Sequence, residues 1–592
     1  LFVNLSTGQI RTESPDESLY RDYIGGYGLG ARVLYTHMRK GVDPLGPENM
    51  LGMVTGPLTG SPAVMGCRYV VVGKSPLTGG WGDANSGGDF GPNLKFAGYD
   101  AVFFTGISPK PVYLAIVDGV AELKDASQVW GKDIYEAEAA LKSAVGKGAQ
   151  ASLIGPAGEK QACISCVVTK KGASAGRSGL GAVMGSKKLK AVVVRGEQQV
   201  PIADLERATR LRREMIAEMK TWESNGQKFF ERMHEYGTSG GTATTAVNGD
   251  MPIKNWAGAG AEEFSDVGGV SGDGAIEGMY QHETCWRCPL ACEGLLAAGK
   301  GEFKWERGLR RAEYETQGSF GGLTLNNSAE AINAANDICN RYGLDTISAG
   351  AVIGFAIECF ENGILNLEDT DGIELRWRDG KAMIAMLEKV AKREGLGDVL
   401  ADGVEKAARR IGRGAEKVAG HIGGQDLGMH DPKFQPWPEM MAGARYVMDA
   451  TPGRHTQGWG SRSFKGHLVN ASGLCGFGYF SGEPQKWIQG FLASVTGLER
   501  SWPELEVDAQ RIMAIRQAFN SREGINPRKI FVHPRIMSVP LTAGPTKGQT
   551  VDLDKQVEEG CKQLDWDPAT GKPNKSKLVA LGMGDVARDL WR

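Results

Sequence analysis

The sequence predicts an α+β fold, with a glycine-rich β domain at the N-terminus and two mostly α-helical domains after it. Up to about residue 205, short β-branched and aromatic runs alternate with Gly, Pro, Asn and Asp clusters. Beyond that point apolar residues recur at helical spacing. The chain has 592 residues, too many for one core, so about two to four domains are expected. Soft boundaries near 205 and 420 give units 1–205, 206–420 and 421–592.

In order, the strand-like runs are Phe2-Val3-Asn4-Leu5, Tyr69-Val70-Val71-Val72, Ala101-Val102-Phe103-Phe104, Val112 to Ile116 and Ala191 to Val194. A helix is expected from Asp133 to Val145, and another from Leu205 to Met219 behind an Asp204 N-cap. Amphipathic spacing then predicts helices over 328–341, 346–362, 380–393, 399–411 and 502–520. The stretch 544–574 reads as a surface loop with one short helix.

Composition excludes several classes. With 41% hydrophobic residues, 23% charged residues and a net charge of −2, nothing marks a nucleic-acid or anionic-membrane binder. The apolar run Ala349 to Phe360 is broken at Glu358 and falls short of the ~20 residues of a membrane span. No secretory leader is read at Leu1, although the missing initial methionine leaves a trimmed start open. Ten cysteines in such a chain are no disulfide scaffold, so a cytoplasmic setting is expected. The 84 glycines argue for tight turns and close backbone packing.

The chemistry centres on Cys285-Trp286-Arg287-Cys288-Pro289-Leu290-Ala291-Cys292. C-x2-C-x3-C spacing lets three thiolates converge on one small inorganic object. A [4Fe–4S] cluster needs a fourth ligand from elsewhere. Zinc would normally bring a second C-x2-C or an H-x3-H, which is absent, and a structural disulfide is the third option. Cys163, Cys166, Cys339 and Cys359 lie in strand-like or helical apolar runs and read as buried thiols. Cys67 and Cys561 stand in turn-rich segments without evident partners. Cys475, between Gly473 and Gly476, is the best fourth ligand. It ends Asn470-Ala471-Ser472-Gly473-Leu474-Cys475, a weak repeat of Asn340-Arg341-Tyr342-Gly343-Leu344-Asp345. Three glycine-rich stretches, 25–30, 85–91 and 179–187, fit neither G-x-G-x-x-G nor a P-loop. They read as turns, with close backbone approach to cofactor phosphates left open.

Taken together these motifs resemble the tungsten-dependent aldehyde:ferredoxin oxidoreductase family over nearly the whole chain. The resemblance is carried by Thr55-Gly56-Pro57-Leu58-Thr59-Gly60, Lys74-Ser75-Pro76-Leu77-Thr78-Gly79, Asn85-Ser86-Gly87-Gly88, Gly185-Ser186-Lys187-Lys188-Leu189-Lys190-Ala191, Glu313-Tyr314-Glu315-Thr316, Gly343 to Ser348 and Gly473-Leu474-Cys475. It implies that the β domain is the base for a tungsten (or molybdenum) bis-molybdopterin, with one [4Fe–4S] cluster beside it and Mg2+ at the pterin phosphates as a further option. By motif position, Arg68 resembles a bridge between pterin and cluster, and Asn85, Gly87 and Arg177 resemble base contacts. The two repeats supply Asn340, Gly343, Leu344 and Asp345 for one pterin, and Asn470, Gly473 and Leu474 for the other. Both repeats carry asparagine where the family has aspartate, which keeps an acceptor but brings no charge. Cys285, Cys288, Cys292 and Cys475 resemble the cluster ligands.

The resemblance also implies the reaction: oxidation of an aldehyde to a carboxylic acid, with electrons passing to ferredoxin or a ferredoxin-like iron–sulfur subunit. Glu315 and His455 are the expected catalytic pair, with Glu313 the alternative acid. Of eight histidines, His430 and His467 are secondary candidates, His421 has no motif, and His37, His234, His282 and His533 read as surface. Gln457 replaces a family lysine, and the interval from His455 to Cys475 is short for the family. Asn333 stands where some relatives carry the histidine of a subunit-bridging iron, so that iron is expected to be absent. A homo-oligomer remains an option. The rival readings are a same-fold enzyme reducing an acid or aromatic thioester, and a cofactor-poor electron-transfer or scaffold subunit.

Overall fold

The computed structural model describes all residues except 225, 437–440 and 457–460, and no account is given of the side chains of 224 and 461–463. Gln457 therefore lies outside the described residues. The N-terminal part holds two six-stranded mixed sheets. The first runs in the order Gln9–Arg11, Phe2–Asn4, Ala101–Thr105, Leu51–Thr55, Tyr69–Lys74, Trp81–Ser86. The second runs Ala173–Ala175, Val167–Thr169, Gln150–Leu153, Leu189–Arg195, Val112–Val117, Val120–Asp125. Only Phe2–Asn4 with Ala101–Thr105 and Leu189–Arg195 with Val112–Val117 pair in parallel; the other pairs are antiparallel.

Period-two alternation explains why central strands read as unbroken apolar runs. Tyr69 and Val71 point into a core shared with Leu114 and Val192 of the second sheet. Val70 and Val72 point the other way, into the core that holds helix Gly26–His37. On the outer face of the second sheet, Tyr113, Ala115, Ala151 and Val193 pack on Ile134, Ala137 and Leu141 of helix Ile134–Val145, which Asp133, expected as its first residue, caps instead.

Helices cover this base. One core gathers helices Ala329–Tyr342, Thr346–Glu361 and Gly380–Lys392. The other joins Leu205–Met219, Ser461–Ser472, Pro484–Thr496 and Trp502–Arg522 to Val70 and Val72. The apolar run around Ala349 belongs to Thr346–Glu361, buried on nearly every side, and its one acid, Glu358, is held by Arg535 at 2.6 and 2.7 Å. Among the described residues no helix is long and apolar enough to cross a membrane.

Some local expectations are corrected. The glycine-rich stretch 25–30 opens a helix, Gly26–His37, and 179–187 opens Leu180–Ser186, where turns were expected. The stretch 399–411 is two helices, Leu396–Leu400 and Val404–Ile411, parted by Gly403 at a φ of 88°. Cys163–Cys166 is not a strand but a turn with a single bridge, Ser165 to Leu344. His533, expected at the surface, is buried, with Nε2 3.1 Å from the Lys417 carbonyl.

Candidate active site and cluster ligands

The two N-x-x-G-L-x segments turn out to be one device used twice. Gly343 (φ 76°) and Gly473 (φ 82°) end helices Ala329–Tyr342 and Ser461–Ser472 in left-handed conformation. The N–H of Leu344 reaches back to the Cys339 carbonyl at 2.9 Å, and that of Leu474 to Val469 at 3.0 Å. Each segment then docks on the base through its backbone. Cys166 N–H donates to Gly343 O and Asp345 N–H to Ile164 O, both at 2.9 Å. Leu58 N–H donates to Ser472 O and Arg68 N–H to Gly473 O, both at 3.0 Å. The second dock admits no side chain: a Cβ on Gly56 would lie 2.1 Å from the Ser472 carbonyl carbon, and one on Gly26 would lie 2.6 Å from Asn470 O.

Between base and cover lies a cavity of about 510 Å³. Of the predicted site residues, Arg68, Asn85, Gly87, Arg177, Asn340, Leu344, Asp345, Asn470, Leu474, Cys285, Cys475, Glu315 and His455 line it. Gly343, Gly473, Cys288 and Cys292 sit behind its wall. A polar chain runs along one side. Asn85 Nδ2 donates to Asn470 Oδ1 at 3.0 Å, Arg68 Nη1 donates to Asn85 Oδ1 at 3.1 Å, and Arg68 Nη2 donates to Cys475 Sγ at 3.1 Å. On the other side Arg177 donates to the carbonyls of Asp426 (2.5 Å) and Gly453 (3.2 Å), with Nε 3.4 Å from Asp345 Oδ2. Asp345 also caps helix Thr346–Glu361 at 3.3 Å.

At one end of the cavity the cysteines converge. The Gly88 N–H donates to Cys285 Sγ at 3.2 Å, and the Trp286 N–H to the Gly88 carbonyl at 3.1 Å. A Cβ on Gly87 would sit 2.8 Å from that sulfur. Cys288 and Cys292 both feel the charges of Cys285 and Cys475; burial first, then those neighbours for Cys288, and Glu293 and Glu313 ahead of them for Cys292, push the thiols up. Such a group ionises readily only onto a cation, as metal ligands do. Cys67 corrects the expectation that it has no partner nearby. It is buried and hydrogen-bonded to Cys285, because pairing of Tyr69–Lys74 with Trp81–Ser86 brings Cys67 and Gly87 to the same sheet end.

The opposite end holds the predicted acid–base pair. His455 Nε2 is 3.4 Å from Glu315 Oε1, and Glu315 Oε2 accepts the Met429 N–H at 2.9 Å. Burial pushes the Glu315 carboxyl up, against the pull of His430, the Met429 amide and Arg177. Burial, then His430, Arg445, Arg177 and Arg454, hold His455 well below the usual histidine range. His455 is thus set as a neutral imidazole beside Glu315. Glu315, His430 and His455 offer ligand atoms within 4.8 Å of one another, but three arginines beside His455 disfavour a dication there. Glu313, the alternative acid, also lines the cavity but takes a hydrogen bond from the Thr238 hydroxyl, with its carboxyl pushed up to about 7 by burial and then by Glu293. His467 is buried against the Tyr27 hydroxyl at 2.6 Å, and His421 is buried too.

Sequence reasoning missed Arg310, Asp250 and Asp426, and ranked His430 only as a secondary candidate. Arg310 adjoins the E-Y-E-T element, which could have flagged it. It is buried, lines the cavity and leaves Nε and Nη2 without a hydrogen bond among the described residues, as does Arg68 at Nε. Buried guanidinium donors left unsatisfied beside a cavity suit an anionic ligand such as a pterin phosphate. Four cysteines match the number of thiolates that hold a [4Fe–4S] cluster.

Comparison with known families matches residues 1–196 to the N-terminal domain of aldehyde ferredoxin oxidoreductase and residues 214–583 to its domains 2 and 3. The chain belongs to the aldehyde ferredoxin oxidoreductase family. Over 98% of both chains it is 34% identical to the tungsten-containing aldehyde ferredoxin oxidoreductase of Pyrococcus furiosus. The Thermococcus kodakarensis enzyme of the same name is also 34% identical, over 99% of this chain and 98% of its own. Members differ in their reactions: the WOR-like subunit of an aliphatic sulfonate oxidoreductase from P. furiosus is 28% identical over 100% of this chain and 98% of its own. Among solved structures, the active-site complex BamBC of benzoyl coenzyme A reductase, with 1,5-dienoyl-CoA, shares the fold. It has a TM-score of 0.84 and 24% identity, over 99% of this chain and 97% of that one. The family is an oxidoreductase family of tungsten–pterin type.

Proposed function

We propose that this chain oxidises an aldehyde to the carboxylic acid and delivers the electrons to ferredoxin or a ferredoxin-like iron–sulfur subunit. The observation that carries the reading is one cavity with the Glu315–His455 pair at one end and the cysteine set at the other. Arg68, Asn85, Gly87, Arg177, Arg310 and the two asparagine segments would hold the pterins, and Cys285, Cys288, Cys292 and Cys475 the cluster. When bound, the tungsten–pterin group supplies the two-electron chemistry and the cluster a one-electron outlet.

The protein's own part is binding and proton management. His455, kept neutral, accepts a proton from water or from the hydrated carbonyl, and Glu315 orients it. The Met429 N–H fixes the other Glu315 oxygen, so the carboxylate edge facing His455 is preset. A positioned acid–base group of this kind contributes about 10²–10⁴-fold. The unpartnered buried arginines count against a subunit that has lost its pterin. The test is metal analysis of the purified protein with an aldehyde panel and a viologen acceptor. Tungsten with aldehyde-dependent viologen reduction is expected. Tungsten with activity only toward acids or aromatic thioesters would give the reductive alternative, and absence of tungsten would give the scaffold.

A further inference from the structure

Behind the acid–base pair stands a second histidine that this chemistry does not use. The His430 and His455 rings lie 4.4 Å apart, and a ring nitrogen of His430 is within 4.8 Å of both a Glu315 oxygen and a His455 nitrogen. Glu315 and His455 line the cavity; His430 and Asp250 do not. The His430 side chain is nevertheless 33% exposed and that of Asp250 17%. His430 Nδ1 is 2.8 Å from Asp250 Oδ2. Stacking on Tyr314 at 4.8 Å fixes the ring, and the Tyr446 hydroxyl donates to the His430 carbonyl at 2.7 Å. The Asp431 N–H donates to the Asp250 carbonyl at 2.6 Å, which holds the second carboxylate in place.

We propose that His430 and Asp250 form the exit by which protons leave the active site. Oxidising an aldehyde with water releases two electrons and two protons per turnover, and electrons drawn out through a cluster leave those protons in the cavity. A proton on Glu315 passes to the His430 nitrogen that Asp250 leaves free, while the Nδ1 proton passes to Asp250 and then to water. Glu315 returns to carboxylate, the ring resets its tautomer, and no bond to carbon changes. The charges around the ring suit this direction. Burial lowers His430, but the hydrogen bond and charge of Asp250, then the charge of Glu315, bring it above the usual range against Arg445. His455 is held neutral, so the transferable charge rests on the outer ring.

The inference rests on the proposed oxidation, and the test separates the two. The holoenzyme and its His430→Gln and Asp250→Asn variants are compared in single turnover, as aldehyde-driven reduction of the cluster, and in steady state with viologen. A first turnover can park its protons inside, so single-turnover rates should stay near wild type. Steady-state turnover should fall about 100-fold at low buffer and recover with added imidazole. A purely structural role would slow both phases alike and leave imidazole without effect; that result, or wild-type steady-state turnover at low buffer, overturns the exit. If no aldehyde reduces the wild-type cluster, the proposed oxidation is what fails. The same comparison then runs on reduction of an acid or aromatic thioester, where the pair must carry protons inward and imidazole rescue is again decisive.

Discussion

Asp83→Asn should loosen the seam between base and cover while leaving the shape of the side chain almost unchanged. Asp83 is fully buried on strand Trp81–Ser86. Its carboxylate accepts from Arg454 Nη1 and Arg516 Nη2, each at 2.8 Å, and from the Trp81 indole N–H at 2.6 Å. Both arginines come from the covering part and are themselves buried. Removing one partner of a buried ion pair costs about 3–5 kcal/mol, because the stranded charge stays desolvated. Asparagine keeps one acceptor, and Arg516 also reaches Asp449 at 3.2 Å, so the low end, about 3 kcal/mol, applies. That is roughly a 100-fold change in a local opening equilibrium. A chain of this size does not unfold in one step, so the assay is hydrogen exchange in Trp81–Ser86 and around Arg454, not a melting curve. Exchange there should quicken about 100-fold, with distant helices such as Gly380–Lys392 unchanged. A change of less than about threefold would refute the claim that this carboxylate carries the seam. Asp125→Asn is the contrast: its partner Lys110 is 2.5 Å away, but both side chains are about half exposed, and no measurable change is expected.

Four further outcomes are expected. His455→Ala should lower turnover per tungsten by about 10²–10⁴-fold without lowering metal or pterin content. In the wild type the Glu315 carboxylate is lost as pH falls through a pKa that burial raises above the ordinary glutamate range, so turnover should decline on the acid side at higher pH than an exposed glutamate would give. Glu315→Gln should abolish that acid limb. Cys475→Ala should drop iron well below about four per chain; full iron with an unchanged reduced-cluster spectrum would move the fourth ligand elsewhere. Carefully desalted protein should carry no iron beyond one such cluster, since Asn333 offers no imidazole; a reproducible additional iron would refute this.

Much of the molecule was legible because local rules decide it. Leu205–Met219 behind Asp204, Ile134–Val145 behind Asp133 and the strand around Val71 all follow from caps and periodicity within a dozen residues or so. The pairing of Glu315 with His455 was reached only through resemblance, and the chain from Asn470 through Asn85 and Arg68 to Cys475 was not foreseen, since contacts that span hundreds of residues leave no local pattern. Cys67 was misread for the same reason: its partner arrives by strand pairing and a distant loop. His430 ranked only as a secondary candidate because Asp250, which gives it meaning, lies 180 positions earlier. The glycines of 25–30 pointed to turns on propensity, yet they permit a helix to lie against Val72, where a Cβ on Gly30 would already press at 3.0 Å.

The contact of Gly26 and Gly56 with residues 470–473 bears on how this protein can be recombined with its relatives. Two backbones touch there with no side chain between them, so neither surface can drift alone. A chimera that takes its C-terminal part from another member will seat only if the donor segment and the glycines of residues 25–26 and 56 keep the same register. Crossovers should therefore be tolerated between pieces that carry both halves of this contact, and should fail, with intact secondary structure but unseated pterin segments, wherever one half is exchanged for a bulkier sequence.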